Sequence, residues 1–148
     1  MRSANYRRFS AQSRTRRNLH GSRHCENEWA IILACDYPLA GEDLFARLAK
    51  IADSIDEDVS AIVPIQPDGR VQPLCALYRV KPCLIAAGQL LRSEKIPPAR
   101  ELSVSVKRRL VSFAELFDIR GAENFFTNVN TPEDFHHVKS IFQTMQNN

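Results

Sequence analysis

Asp36 is the residue of this sequence whose type and position most directly suggest chemistry. It follows a near-continuous apolar run, Trp29 to Ala34, and stands before Tyr37 and Pro38. A run of that length suits a strand buried on both faces. Pro38 cannot extend a sheet ladder, so the chain must turn there. Open α/β sheets bind ligands at the C-terminal ends of such strands. One carboxylate on a rigid strand, completed by substrate phosphates, is a common way to hold Mg2+. Equally, it is a polar residue that merely opens a surface turn. Asn128 and Asn130 form the second candidate group. On alternate positions of a short extended piece their side chains face the same way. Two amides just before a helix can bind phosphate or ribose, or they hydrogen-bond the loop to itself. His136 and His137 are adjacent and point apart, so they cannot chelate one metal and are read as surface residues. Lys107-Arg108-Arg109 reads as a solvated basic face in preference to a phosphate site.

The elements that must position these residues alternate in type. From Gly41 to about Ser54, Leu44, Leu48, Ile51 and Ile55 fall at helical spacing, with Glu42 and Asp43 in the first turn. Ala61 to Ile65 is a strand, Pro67-Asp-Gly-Arg70 a turn with Gly69 free to take positive φ, and Val71 to Tyr78 a second extended run broken by Pro73. That order predicts a hairpin-like excursion. Pro82 starts a helix through Leu90 and Leu91, with Leu84 and Ile85 facing the core. After the break at Ile96-Pro97-Pro98, the spacing of Leu102, Val106 and Leu110 predicts a helix over Ala99 to Leu110, though the alternation from Leu102 to Val106 also fits a strand. Val111 to Phe113 reads as a short strand. Thr131, Pro132, Glu133 and Asp134 make a helix start, with an N-cap hydroxyl, proline at the first helical position and acids by the positive end. That helix runs to about Met145, with Phe135, Val138 and Phe142 on its apolar stripe.

Composition bounds the function classes. The 148 residues make one ordinary domain with no run long enough for a membrane span. Residues 1–24 hold seven arginines and no acid, so the net charge of +3 leaves −4 for residues 25–148. A basic nucleic-acid-binding surface is therefore not a property of the folded part. The arm is expected to be disordered. It reads as an organellar transit segment, a basic arm for RNA or anionic lipid, or, ranked first, sequence with no selected role at an alternative start. Cys25, Cys35, Cys75 and Cys83 show no metal-like spacing, and Cys35 and Cys75 lie in apolar runs as buried free thiols do. A reducing, cytoplasmic compartment is expected, without nucleic acid or membrane as a partner.

Three segments carry a family resemblance. Leu33-Ala-Cys-Asp-Tyr-Pro-Leu39 resembles the strand end of the molybdenum cofactor guanylyltransferases, Val71 to Arg79 resembles their segment after an Asp-Gly turn, and Phe125 to Asp134 is similar to their closing motif. The three lie in the family's order across roughly residues 28–140. The cytidylyl-transferring relatives typically lack the Ala-Cys before the acid, so Ala34-Cys35 leans towards guanine. The resemblance implies an α/β fold, a GT-A-like, Rossmann-like three-layer sandwich, here incomplete and preceded by the arm, with residues 28–146 as the C-terminal part of the nucleotidyltransferase domain. It implies Mg2+-dependent transfer of GMP from GTP onto molybdopterin. By the same resemblance Asp36 would bind Mg2+ and contact the nucleotide, and Asn128 and Asn130 would line the site near the molybdopterin.

One departure shapes the expectation. The family's Gly-rich loop, which cradles the triphosphate and supplies a lysine, does not occur here; the arginine arm stands ahead of Trp29. Removing one transition-state donor costs roughly 3 kcal/mol, and several are missing together. The chain alone is therefore expected to be weak or inert, and the strand led by Trp29 to leave an edge exposed. Two readings follow: a guanylyltransferase completed by another polypeptide, or a non-catalytic module that binds molybdopterin and molybdenum-cofactor proteins.

Overall fold

A four-stranded mixed sheet organises the chain. The computed structural model describes residues 28–92 and 97–146, so the arginine arm and Cys25 lie outside the described residues. In chain order the elements are β1 (Trp29–Leu33), α1 (Glu42–Ala52), β2 (Ala61–Pro64), β3 (Cys75–Arg79), α2 (Val80–Leu90), α3 (Arg100–Val104), β4 (Arg108–Val111) and α4 (Pro132–Gln146), with two 3-10 turns at Phe113–Glu115 and Ala122–Asn124. The sheet order is β1-β3-β2-β4. β3 runs antiparallel to both β1 and β2, whereas β2 and β4 are parallel. The C-terminal ends of β1, β2 and β4 and the start of β3 therefore share one rim.

The period-2 alternation of the strands builds two cores, one on each face. Ile62, Cys75, Leu77 and Val111 pack with Leu44, Phe45 and Leu48 of α1 and with Leu116 and Phe125 from the C-terminal loops. Ala61, Val63, Ala76 and Tyr78 pack on the opposite face with Cys83, Ala86 and Ala87 of α2 and Leu102 of α3. This is the three-layer α/β arrangement expected. Leu44, Leu48 and Ile62 are wholly buried, each contributing about 1.5–3 kcal/mol. The hairpin forms as the turn chemistry requires: Gly69 takes φ +84°, and Asp68 accepts the Arg70 N–H at 3.0 Å. Among the described residues, no helix is long and apolar enough to cross a membrane.

Several expectations are corrected. β1 ends at Leu33 and is half-buried throughout, because among the described residues it pairs with β3 alone and its other edge meets no strand. α2 begins at Val80, two residues before Pro82; a proline at the third helical position still falls in the first turn, where no intrahelical N–H bond is needed. Ile85 is 66% exposed, and Val80, Cys83, Ala86 and Ala87 face the core instead. The predicted helix over residues 99–110 is α3 followed by β4. Ser103 and Ser105 donate their hydroxyls to the Arg100 and Leu102 carbonyls, at 2.8 and 2.9 Å, where the helix ends. Arg108 and Arg109 thus lie in a strand, Val111 closes it, and Phe113 opens a 3-10 turn capped by Ser112 and Glu115. On α4 only Val138 of the proposed stripe is buried; Phe135 and Phe142 are more than half exposed. Cys35 is exposed in the turn after β1, whereas Cys75 and Cys83 are buried.

Candidate functional site

Asp36 lies in the turn just past β1, on the rim where three strands end. The corner is built by backbone bonds: Ala34 N–H donates to Leu74 C=O at 2.7 Å and Tyr37 N–H to Ala34 C=O at 3.4 Å. The Asp36 side chain is half-buried, with Oδ1 inside the protein. The segment before α4 reaches the same corner. Val129 N–H, between the two asparagines, donates to the Asp36 carbonyl at 3.0 Å. The acid and the amide pair, far apart in sequence, are brought together.

Tyr37 completes the junction, and sequence reasoning missed it. Its hydroxyl donates to Gln72 Oε1 at 2.8 Å. Its ring stands perpendicular to Phe126, with centroids 6.3 Å apart. Gln72 is itself buried, between the hairpin turn and β3, with its backbone N–H on Pro64 C=O at 2.9 Å. Burial first, and the Asp36 carboxylate second, hold the Tyr37 phenol above its ordinary pKa, so it keeps its proton at neutral pH. The burial of Gln72 comes from the fold, so no sequence signal points to this contact.

The two asparagines are not equivalent. Residues 127–130 form no strand, and both side chains are exposed. Asn128 flanks Val129, whose N–H bonds the Asp36 carbonyl; Asn130 gives its backbone N–H to Asp134 Oδ2 at 2.9 Å. Thr131 N–H donates to the same oxygen at 2.9 Å, and Asp134 N–H returns to Thr131 Oγ1 at 3.1 Å. This reciprocal cap satisfies the Asp134 N–H in the first turn of α4, while the Asp134 carboxylate takes the two N–H groups just ahead of the helix. His136 and His137 are exposed, as expected. The basic run is paired: Lys107 with Asp58, Arg109 with Glu115, and Arg108 on Ser103 Oγ at 3.3 Å. No group of three or more His, Cys, Asp or Glu that would hold a metal occurs among the described residues.

The sequence profile described as "MobA-like NTP transferase domain" matches residues 18–107. The chain belongs to this family. A probable molybdenum cofactor guanylyltransferase of Carboxydothermus hydrogenoformans is 31% identical over 118 residues, covering 78% of this chain and 55% of that protein. A protein of the same description from Geobacillus sp. is 30% identical over 118 residues, with the same coverage. The crystal structure of molybdopterin-guanine dinucleotide biosynthesis protein A from Archaeoglobus fulgidus superposes with a TM-score of 0.70 at 17% identity, over 86% of this chain and 61% of that one. A 4-diphosphocytidyl-2C-methyl-D-erythritol synthase from Anaerococcus prevotii shares the fold, with a TM-score of 0.63 at 15% identity over 90% and 66% of the two chains. The chain spans about half the length of the curated relatives it matches. Within the MobA-like family frame, the rim holding Asp36, Tyr37 and Asn128 is the candidate site.

Proposed function

We propose that this chain carries the rim of an NTP transferase that moves GMP from GTP onto the phosphate of molybdopterin, releasing pyrophosphate. The observation that carries the reading is the bond from Val129 N–H to the Asp36 carbonyl, which sets the acid and Asn128 at one corner. The names of the curated relatives, molybdenum cofactor guanylyltransferases, support the substrates.

Asp36 would hold Mg2+ and contact the nucleotide. Mg2+ is usually bound by one or two carboxylates plus substrate phosphates. A lone carboxylate at a strand end fits an ion that arrives with the nucleotide, not one caged by the protein. When bound, it neutralises phosphate charge. Asn128 and Asn130 would face the molybdopterin. The acceptor phosphate oxygen forms a bond to the α-phosphorus, and the bond to the β-phosphate oxygen breaks, its electrons leaving with pyrophosphate. An ionised phosphate needs no strong base, so the protein's task is in-line positioning.

A second reading is a molybdopterin-binding module without catalysis, with molybdenum-cofactor proteins as partners. Thermal shift separates the two. A shift with Mg2+ and GTP that Asp36→Asn abolishes supports the transferase. A shift with molybdopterin but none with GTP supports the module. No shift with either rejects both.

A further inference from the structure

Tyr37 joins the turn that carries Asp36 to the sheet. Within the turn the backbone bonds are long. Tyr37 N–H reaches Ala34 C=O at 3.4 Å and Ala40 N–H reaches Tyr37 C=O at 3.3 Å, both beyond the usual N–H···O range. Pro38, between them, has no N–H to give. The Tyr37 hydroxyl, by contrast, reaches Gln72 Oε1 at 2.8 Å. Gln72 is a fixed anchor. It is buried, its N–H donates to Pro64 C=O at 2.9 Å and its C=O accepts the Cys75 N–H at 3.0 Å, so it is tied to the end of β2 and the start of β3. The edge-on contact with Phe126 sets the face of the Tyr37 ring. Residues 36 and 37 share one peptide plane. Val129 N–H holds that plane at the Asp36 oxygen, and Gln72 holds it through the Tyr37 side chain. What fixes the plane also fixes the direction in which the Asp36 side chain leaves the backbone.

We propose that Tyr37 is a positioning residue whose hydroxyl, bonded to the buried Gln72, clasps the turn after β1 to the sheet and so holds the Asp36 carboxylate in its place on the rim. This rests on the proposed function only for what Asp36 meets there, a nucleotide carrying Mg2+; the clasp itself is read independently. Such a clasp biases the turn by no more than the net worth of its own bond. Tyr37→Phe, which keeps the ring against Phe126, should therefore weaken the affinity of the full chain for Mg2+ with GTP about three- to tenfold. Without ligand, the Asp36 carboxyl-carbon resonance of the full 13C-labelled chain should move toward that of an exposed aspartate. The variant Tyr37→Phe/Gln72→Met separates positioning from a merely structural role. Tyr37→Phe alone leaves the Gln72 oxygen buried without its donor and lowers the melting temperature. Replacing both partners by apolar groups should restore the melting temperature, whereas the affinity and the Asp36 resonance should stay at their Tyr37→Phe values.

If Tyr37→Phe fails to fold, Gln72→Met carries the same measurements, because the half-buried phenol it deprives of an acceptor can bond water instead. An Asp36 resonance unmoved in the single variant, or one that returns together with the melting temperature in the double variant, overturns the proposal alone. A wild-type chain that binds no Mg2+ with GTP overturns the functional reading, and the Asp36 resonance still decides the clasp.

Discussion

The backbone N–H of Val129 donates to the carbonyl of Asp36 at 3.0 Å, joining the corner after β1 to the segment before α4. Because the main-chain oxygen accepts the bond, the bond itself does not depend on the side chain at position 36. Val129→Pro removes the donor and should destabilise the protein by about 0.5–1.5 kcal/mol, the net worth of one hydrogen bond. Denaturant titration of the variant checks this, and an unchanged midpoint would contradict the assignment.

The cap on α4 gives a pH-dependent prediction. The Asn130 and Thr131 N–H groups hold the Asp134 carboxyl below the usual aspartate range. A carboxyl depressed on folding contributes stability above its unfolded pKa, and that contribution is lost as pH falls through the folded value. Protection of the first turn of α4 against hydrogen exchange, taken relative to the intrinsic rate at each pH, should therefore fall below about pH 4, and Asp134→Asn should flatten the dependence. Thr131→Ala should cost about 1 kcal/mol at any pH in this range.

Thiol labelling should sort the cysteines by position. Burial pushes the Cys75 and Cys83 thiols up to about 12, and the thiolate is the reactive form. In a Cys25→Ser background, a disulfide reagent at pH 8 should react with Cys35 within minutes and with the other two only after denaturation. Rapid native labelling at Cys75 would mean that the sheet opens readily.

Leu48 is wholly buried between α1 and the sheet. Leu48→Ala should cost roughly 2–5 kcal/mol, a large share of the 5–15 kcal/mol typical of a domain. Phe142→Ala, at a side chain half exposed on α4, should cost under about 1 kcal/mol. Equal losses would contradict the exposure of Phe142.

Features with local causes were legible in the sequence. The stripe of α1, the Asp-Gly turn and the Thr131 cap each need only a few neighbouring residues, and each formed where expected. The split of residues 99–110 into α3 and β4 was not legible, because Leu102, Val106 and Leu110 suit one period and residues 102–106 suit another. Two serine hydroxyls on backbone carbonyls and parallel pairing with β2 decide it. Ile85, Phe135 and Phe142 fall at helical spacing, but a stripe is buried only where another surface meets it. At the rim, Asp36 and the asparagines were visible as residue types. The Tyr37 to Gln72 bond spans 35 residues, and nothing local announces it.

The direction of the strands separates the molecule into two ends with different tolerances. β2 and β4 begin at the end remote from Asp36, where Lys107 pairs with Asp58 and its carbonyl accepts the Ser60 N–H. The turns at residues 53–58 and 105–107 are largely exposed there. Exposed turn tips accept insertions better than any paired segment. A reporter peptide or a fused domain spliced between Asp56 and Asp58 should leave the opposite end untouched, which makes that turn the natural handle for immobilising the protein.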